Sequence, residues 1–128
     1  MIGRLRCLVL DCPDARELAE FYRLLIGGEV QGSDPRWAVG EGSAVLRGDA
    51  GQTLAFQSVA DHRPPVWGAP EQQFHLDVRV DDLEAAHMAV LAIGAVPLGG
   101  GGADVGGGEP AWRVYADPAG HPFRLVRP

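Results

Sequence analysis

The chain states one design twice, and that repeat limits its fold more than any other feature. LRCLVLDCPDARELAEFYRLLIGG, from residue 5, reads as an apolar strand, a Pro-Asp break and a helix closed by glycine. FHLDVRVDDLEAAHMAVLAIGA, from residue 74, repeats that order. Asp14 and Asp82 stand at equivalent helix starts, where a carboxylate accepts from free backbone N–H groups and suits the helix dipole. Gly27 and Gly94 stand at the helix ends, where a left-handed residue is cheap only for glycine.

Short strand candidates follow each helix. In the first half they are Glu29–Gln31, Trp37–Val39, Ala44–Arg47 and Thr53–Val59, the middle two readable as one interrupted strand. In the second half they are Ala95–Leu98, Ala111–Ala116 and Pro122–Arg127. The segment DHRPPVWGAPEQQ between the halves is rich in proline and polar groups and reads as a linker. The expected fold class is α+β, with tandem βαβββ modules. Module one covers about 1–60, the linker about 61–72 and module two about 73–128. A chain of 128 residues is long enough for a core and short for two ordinary domains, so one domain is expected.

Strict alternation in FHLDVRVDD sends Phe74, Leu76, Val78 and Val80 to one face and His75, Asp77 and Arg79 to the other. Aligning the two first strands on their capping aspartates sets Cys7 against His75, Val9 against Asp77 and Asp11 against Arg79. The apolar faces suit the undersides of the helices. Cys7, Asp11, His75, Asp77 and Arg79 are then expected on the opposite, concave side. Two readings of His75 stand side by side: a ligand-contacting or proton-transferring residue working with Asp77, or an imidazole hydrogen-bonded to Asp77 or Asp11.

The last hairpin invites a register prediction. A four-residue turn over Asp117–Gly120 pairs Ala116 with His121, Val114 with Phe123 and Arg113 with Arg124. Two arginines then face each other, which demands a counter-charge from Asp11, Asp77 or an anionic ligand. The run GGGGADVGGG, residues 99–108, lies between strands and has no lysine, so it is expected to be a mobile loop rather than a phosphate cradle. Trp67 suits either a ligand cap or a contact with a partner subunit. His62 and His121 read as surface and turn residues, and His87 as structural.

All eleven basic residues are arginine and the formal net charge is −6, which disfavours nucleic acid as the ligand. The absence of lysine excludes Schiff-base chemistry on that residue. No apolar stretch approaches a membrane span and no signal-peptide pattern opens the chain, so neither a membrane nor export is expected and the location is read as cytoplasmic. Cys7 and Cys12 lie roughly 16 Å apart along an extended strand. A disulfide needs about 7 Å or less, so no bridge joins them. No serine lies in a nucleophile-elbow context.

LDCPDARELAEFYRLLIGGEV, LAFQSV, FHLDVRVDDLEAA and WRVYADPAGHPFRLV together resemble the vicinal oxygen chelate superfamily, which includes glyoxalase I, extradiol dioxygenases and the fosfomycin and bleomycin resistance proteins. The nearest resemblance is to its glyoxalase-like domain branch. It implies two curved sheets forming a cupped, partly closed mixed sheet, one helix per module on the outside, and a homodimer. In the metal-using members, ligands come from the first and last strand of each half. Carried over residue by residue, those positions hold Cys7, Ala55 with Gln57 two residues on, His75, and Arg124 where those enzymes place glutamate. Arginine keeps its proton and repels a cation, whereas catalytic zinc takes about three protein ligands. A cofactor is therefore not expected; a divalent metal, were one bound, would use His75 with Cys7 or Gln57.

The resulting expectation is a protein that holds a small organic molecule, anionic or aromatic, in its cup without a metal. The ligand-binding set is Cys7, Asp11, Gln57, His75, Asp77, Arg79, Arg113 and Arg124. The alternative is a metal-dependent or acid–base lyase, isomerase or dioxygenase using His75 with Asp77. A regulatory or assembly module, its cup filled by its own side chains, is a third reading. Fold alone does not choose among them.

Overall fold

The computed structural model describes residues 1–31, 42–103 and 110–128. They divide into two compact units, Met1–Arg63 and Pro64–Pro128. The first contains β1 (Leu8–Cys12), α1 (Ala15–Ile26), β2 (Glu29–Gln31), β3 (Ser43–Arg47) and β4 (Thr53–Ser58), in the sheet order β1-β4-β3-β2. The second contains β5 (Leu76–Arg79), α2 (Leu83–Ala92), β6 (Val96–Ala103), β7 (Pro110–Ala116) and β8 (Pro122–Val126), in the order β5-β8-β7-β6. In each unit the first and last strands run parallel and the other neighbours antiparallel. The fold is α+β, and each described unit carries one helix and a mixed four-stranded sheet. The expected strand Trp37–Val39 lies outside the described residues.

Local sequence explains both helices. The Asp14 carboxylate accepts from Glu17 N at 3.1 Å, and Ser58 Oγ of β4 accepts from Ala15 N at 2.9 Å, so two of the otherwise unpaired N-terminal amides of α1 are satisfied. Ala15, Leu18, Ala19 and Tyr22 recur at i, i+3, i+4 and i+7 and are all buried. Tyr22 stacks on Phe56 of β4 with ring centroids 5.7 Å apart. Each large side chain buried this way stabilises the unit by roughly 1.5–3 kcal/mol.

The Asp82 carboxylate accepts from Ala85 N at 3.0 Å and starts α2. At its other end Gly94, at φ +105°, lets Gly94 N donate to Leu91 O at 3.2 Å and Ala95 N to Val90 O at 3.0 Å, which closes the last turn. On the α2 side of the second sheet Phe123 and Leu125 are fully buried, and Tyr115 stacks on Phe123 at 5.5 Å.

Two expectations are corrected. The β7–β8 hairpin pairs Ala116 with Pro122, Tyr115 with Phe123 and Val114 with Arg124, one residue away from the predicted register. The closing pair is Asp117 with His121, whose carbonyl accepts from Asp117 N at 2.9 Å. Gly120, at φ +90°, takes the extra residue as a bulge. The buried Asp117 carboxylate holds that turn by accepting from Ala119 N at 2.8 Å and His121 N at 3.0 Å. Arg113 is therefore opposite Leu125, and the expected Arg113–Arg124 opposition does not occur.

The glycine run is the second correction. Gly99, Gly100 and Gly101 pair with Val114, Arg113 and Trp112 within β6, which continues to Ala103. An edge ladder supplies hydrogen bonds that outweigh glycine's weak strand preference, and Gly99, at φ +115°, adopts the backbone that the irregularity between Pro97 and Gly99 requires. Residues 104–108 of that run lie outside the described residues.

Candidate functional site

Register and alternation build the site on the face of the second sheet that turns away from α2. Phe123 and Leu125 occupy the helix side, so Arg124 between them projects to the other. The parallel β5–β8 pairing sets Asp77 beside Arg124, and the antiparallel β7–β8 pairing sets Val114 on Arg124's other flank. Asp77 and Arg124 form a two-pronged ion pair: Arg124 Nε donates to Asp77 Oδ1 and Nη2 to Oδ2, each at 2.7 Å. The guanidinium carbon lies 4.9 Å from the centre of the Trp112 ring, a cation–π arrangement.

His75, immediately before β5, brings Nε2 to 3.4 Å from Asp77 Oδ1. Its ring meets Trp67 edge-on, with centroids 5.4 Å apart. The contacts thus run in one row: Trp112, Arg124, Asp77, His75, Trp67. The row is half open to solvent, with side-chain exposures of 25% for Arg124, 43% for Asp77 and 33% for His75. The hydrogen bonds from Arg124 hold the Asp77 carboxyl below the usual carboxylate range, opposed by desolvation and helped by the Arg124 and His75 charges. The same hydrogen bonds hold the Arg124 guanidinium above its ordinary value. The arrangement can orient an imidazole through an ionised carboxylate and can present a planar fork to an anion.

The other predicted residues separate. Arg79 pairs with Val126 and lies exposed on the same face as Asp77. Arg113 lies on the α2 side, where Nη2 donates to Glu84 Oε2 at 2.8 Å, so the register shift removes it from the row. Near it His87 Nδ1 meets the Tyr115 hydroxyl at 2.7 Å, in keeping with a structural His87. Burial pushes the Tyr115 hydroxyl above its ordinary pKa. In the first unit Asp11 pairs with Gln57 on the face away from α1, and Cys7 lies half-buried just before β1. Neither Cys7 nor Cys12 forms a disulfide, and Cys12 is fully buried on the helix side.

Two residues outside the expected set belong to these faces. Trp112 shares the Arg124 side, which follows from the alternation of β7 only once the hairpin register is known. Ser43 of β3 pairs with Gln57, and its Oγ is buried without a hydrogen-bond partner among the described residues.

The residues fit a resident metal ion poorly. Arg124 is a permanent cation at the last-strand position, and its fork already engages both Asp77 oxygens. Among the described residues no group of three His, Cys, Asp or Glu side chains is placed to hold a metal. No helix among them is long and apolar enough to cross a membrane.

Residues 7–126 match the model of the glyoxalase-like domain. No curated protein matches the chain. Among solved structures, a mutant of the fosfomycin resistance protein FosX from Listeria monocytogenes, complexed with Mn(II) and 1S,2S-dihydroxypropylphosphonic acid, aligns with a TM-score of 0.72 at 15% identity, covering 99% of this chain and 93% of that one. A hypothetical protein from S. aureus aligns with a TM-score of 0.64 at 15% identity, covering 100% and 96%. An integron cassette protein from the mobile metagenome of V. cholerae aligns with a TM-score of 0.58 at 21% identity, covering 99% and 96%. At these identities the likeness is one of fold.

Proposed function

The chain belongs to the glyoxalase-like domain family of the vicinal oxygen chelate superfamily, and on that premise we propose that it binds a small organic molecule at the open face of its second sheet, with no resident metal. The observation that carries this reading is the Asp77–Arg124 fork at the strand position where the metal-using members of the superfamily place a carboxylate ligand. A guanidinium there excludes a cation and favours an anion. His75, Arg79 and Arg124 are the contacts we assign, with Asp77 holding the Arg124 fork beside them and Trp67 and Trp112 as apolar walls. In the first unit, taken by itself, Asp11, Gln57 and Cys7 are assigned to a ligand-contacting face of their own.

A second reading, acid–base catalysis, is favoured by the 3.4 Å approach of His75 Nε2 to Asp77. In it the ionised Asp77 orients the imidazole and His75 moves the proton, as carboxylate–histidine pairs do. Two cysteines outside any disulfide suit a cytoplasmic location for either reading.

The test is elemental analysis of protein purified without a metal-affinity tag, followed by titration with Zn²⁺, Ni²⁺, Mn²⁺ and Fe²⁺ and a thermal-shift screen of small anionic and aromatic compounds. The metal-free reading expects no stoichiometric metal and a compound that raises Tm without being turned over. About one tightly bound metal per chain, lost in His75→Ala, overturns it. Turnover without metal, abolished in His75→Ala, selects the acid–base reading.

A further inference from the structure

We infer that Asp77 is an internal stand-in for the ligand's carboxylate: a planar aromatic acid takes the Arg124 fork in its place, with its ring against the indole side chains of the row. The inference rests on the metal-free binding reading above and names its ligand class. Arg124 already holds a carboxylate through two parallel bonds of 2.7 Å, a geometry that matches a second carboxylate atom for atom.

Exchange is open energetically because the pair is not sealed in. Asp77 is 43% exposed, so water can receive its carboxylate when it swings away, and exposed ion pairs contribute little that a ligand's own pair would not restore. A fully buried pair would be held against such an exchange by desolvation.

The row also says what the rest of the ligand is. Trp112 lies against the guanidinium at one end and Trp67 against His75 at the other. Both indoles are only partly buried, which favours a flat apolar body attached to the acid group. His75, at 3.4 Å from Asp77 Oδ1, is placed to donate a hydrogen bond to whichever carboxylate occupies the fork.

The experiment is calorimetric titration of benzoate into the wild-type chain, Asp77→Asn, Asp77→Ser and Arg124→Gln, with acetate and benzyl alcohol as probes of charge and ring separately. Removing the competing carboxylate is expected to tighten benzoate binding by about tenfold, the scale of one charge-assisted hydrogen bond. Arg124→Gln is expected to abolish it, and each lone probe to bind more weakly than benzoate. The serine variant repeats the test should the asparagine one fail to fold.

Benzoate binding that is unchanged or weaker in both Asp77 variants overturns the exchange, as does binding that survives Arg124→Gln. A neutral aromatic that stabilises the wild-type chain while benzoate binds no variant also overturns it, yet leaves the broader metal-free reading standing. Failure of every compound in the screen removes both.

Discussion

Breaking the Asp77–Arg124 pair from each side in turn, Asp77→Ala, Arg124→Ala and the double variant, measures how much the row is held together by charge. The two side chains are 43% and 25% exposed, so solvent screens much of their attraction. Exposed pairs couple by about 0.2–1 kcal/mol, and the two-pronged geometry places this one at the top of that range, at about 1 kcal/mol. Arg124→Ala also loses the contact with Trp112, adding about 0.5–1 kcal/mol. Arg124→Ala is therefore expected to cost about 2 kcal/mol, Asp77→Ala about 1 kcal/mol, and the double variant about 1 kcal/mol less than their sum.

The pH dependence has a definite sign. Asp77 titrates below its ordinary value in the folded chain because Arg124 hydrogen-bonds its ionised form. Its contribution is complete above the unfolded-state pKa of about 4 and is lost as pH falls through the lower folded-state value. Urea unfolding followed by tryptophan fluorescence, at pH 7 and again below pH 4, reads the coupling. It should shrink on acidification, and also between 0.1 and 1 M salt. A coupling near zero at pH 7 in low salt, or one that grows on acidification, refutes the reasoning.

Other outcomes follow from the same geometry. Ser43→Ala should leave stability unchanged or raise it by up to about 1 kcal/mol, because it deletes a buried hydroxyl with no described partner; a loss above that in denaturant unfolding would mean the hydroxyl is satisfied. Asp117→Ala removes the acceptor of two backbone amides in the β7–β8 turn and should cost about 3 kcal/mol. Hydrogen exchange at Ala119 and His121 should speed up with it, and protection that persists at both amides would show that another group holds the turn.

How much of this was legible beforehand differs from residue to residue. Helix starts and ends were, because capping is a local matter: Asp14 and Asp82 accept from amides three residues on, and Gly94 closes α2 through bonds reaching back no more than five residues. Strand faces were legible for the same reason, since alternation is a property of neighbours. His75, Asp77 and Arg79 could be assigned to one side of β5 before any partner strand was known. The tandem βαβββ order followed from two copies of one local pattern.

Partners across the sheet were not legible. Asp117-Pro-Ala-Gly reads equally well as a four-residue turn and as a three-residue loop closed by Asp117 and His121. Those choices differ by one residue, and one residue exchanges the two faces of a strand. That slip sends Arg113 to Glu84 on the helix side and leaves Arg124 to Asp77 and Trp112. Trp112 carries no local mark of its role, and the glycines of β6 carry a local preference against the strand they form. The repeat, the caps and the facing of each strand are encoded within a few residues of where they act. The pairing that makes a site of Asp77 and Arg124, 47 positions apart, is decided only when packed strands and a buried turn carboxylate choose one register over its neighbour.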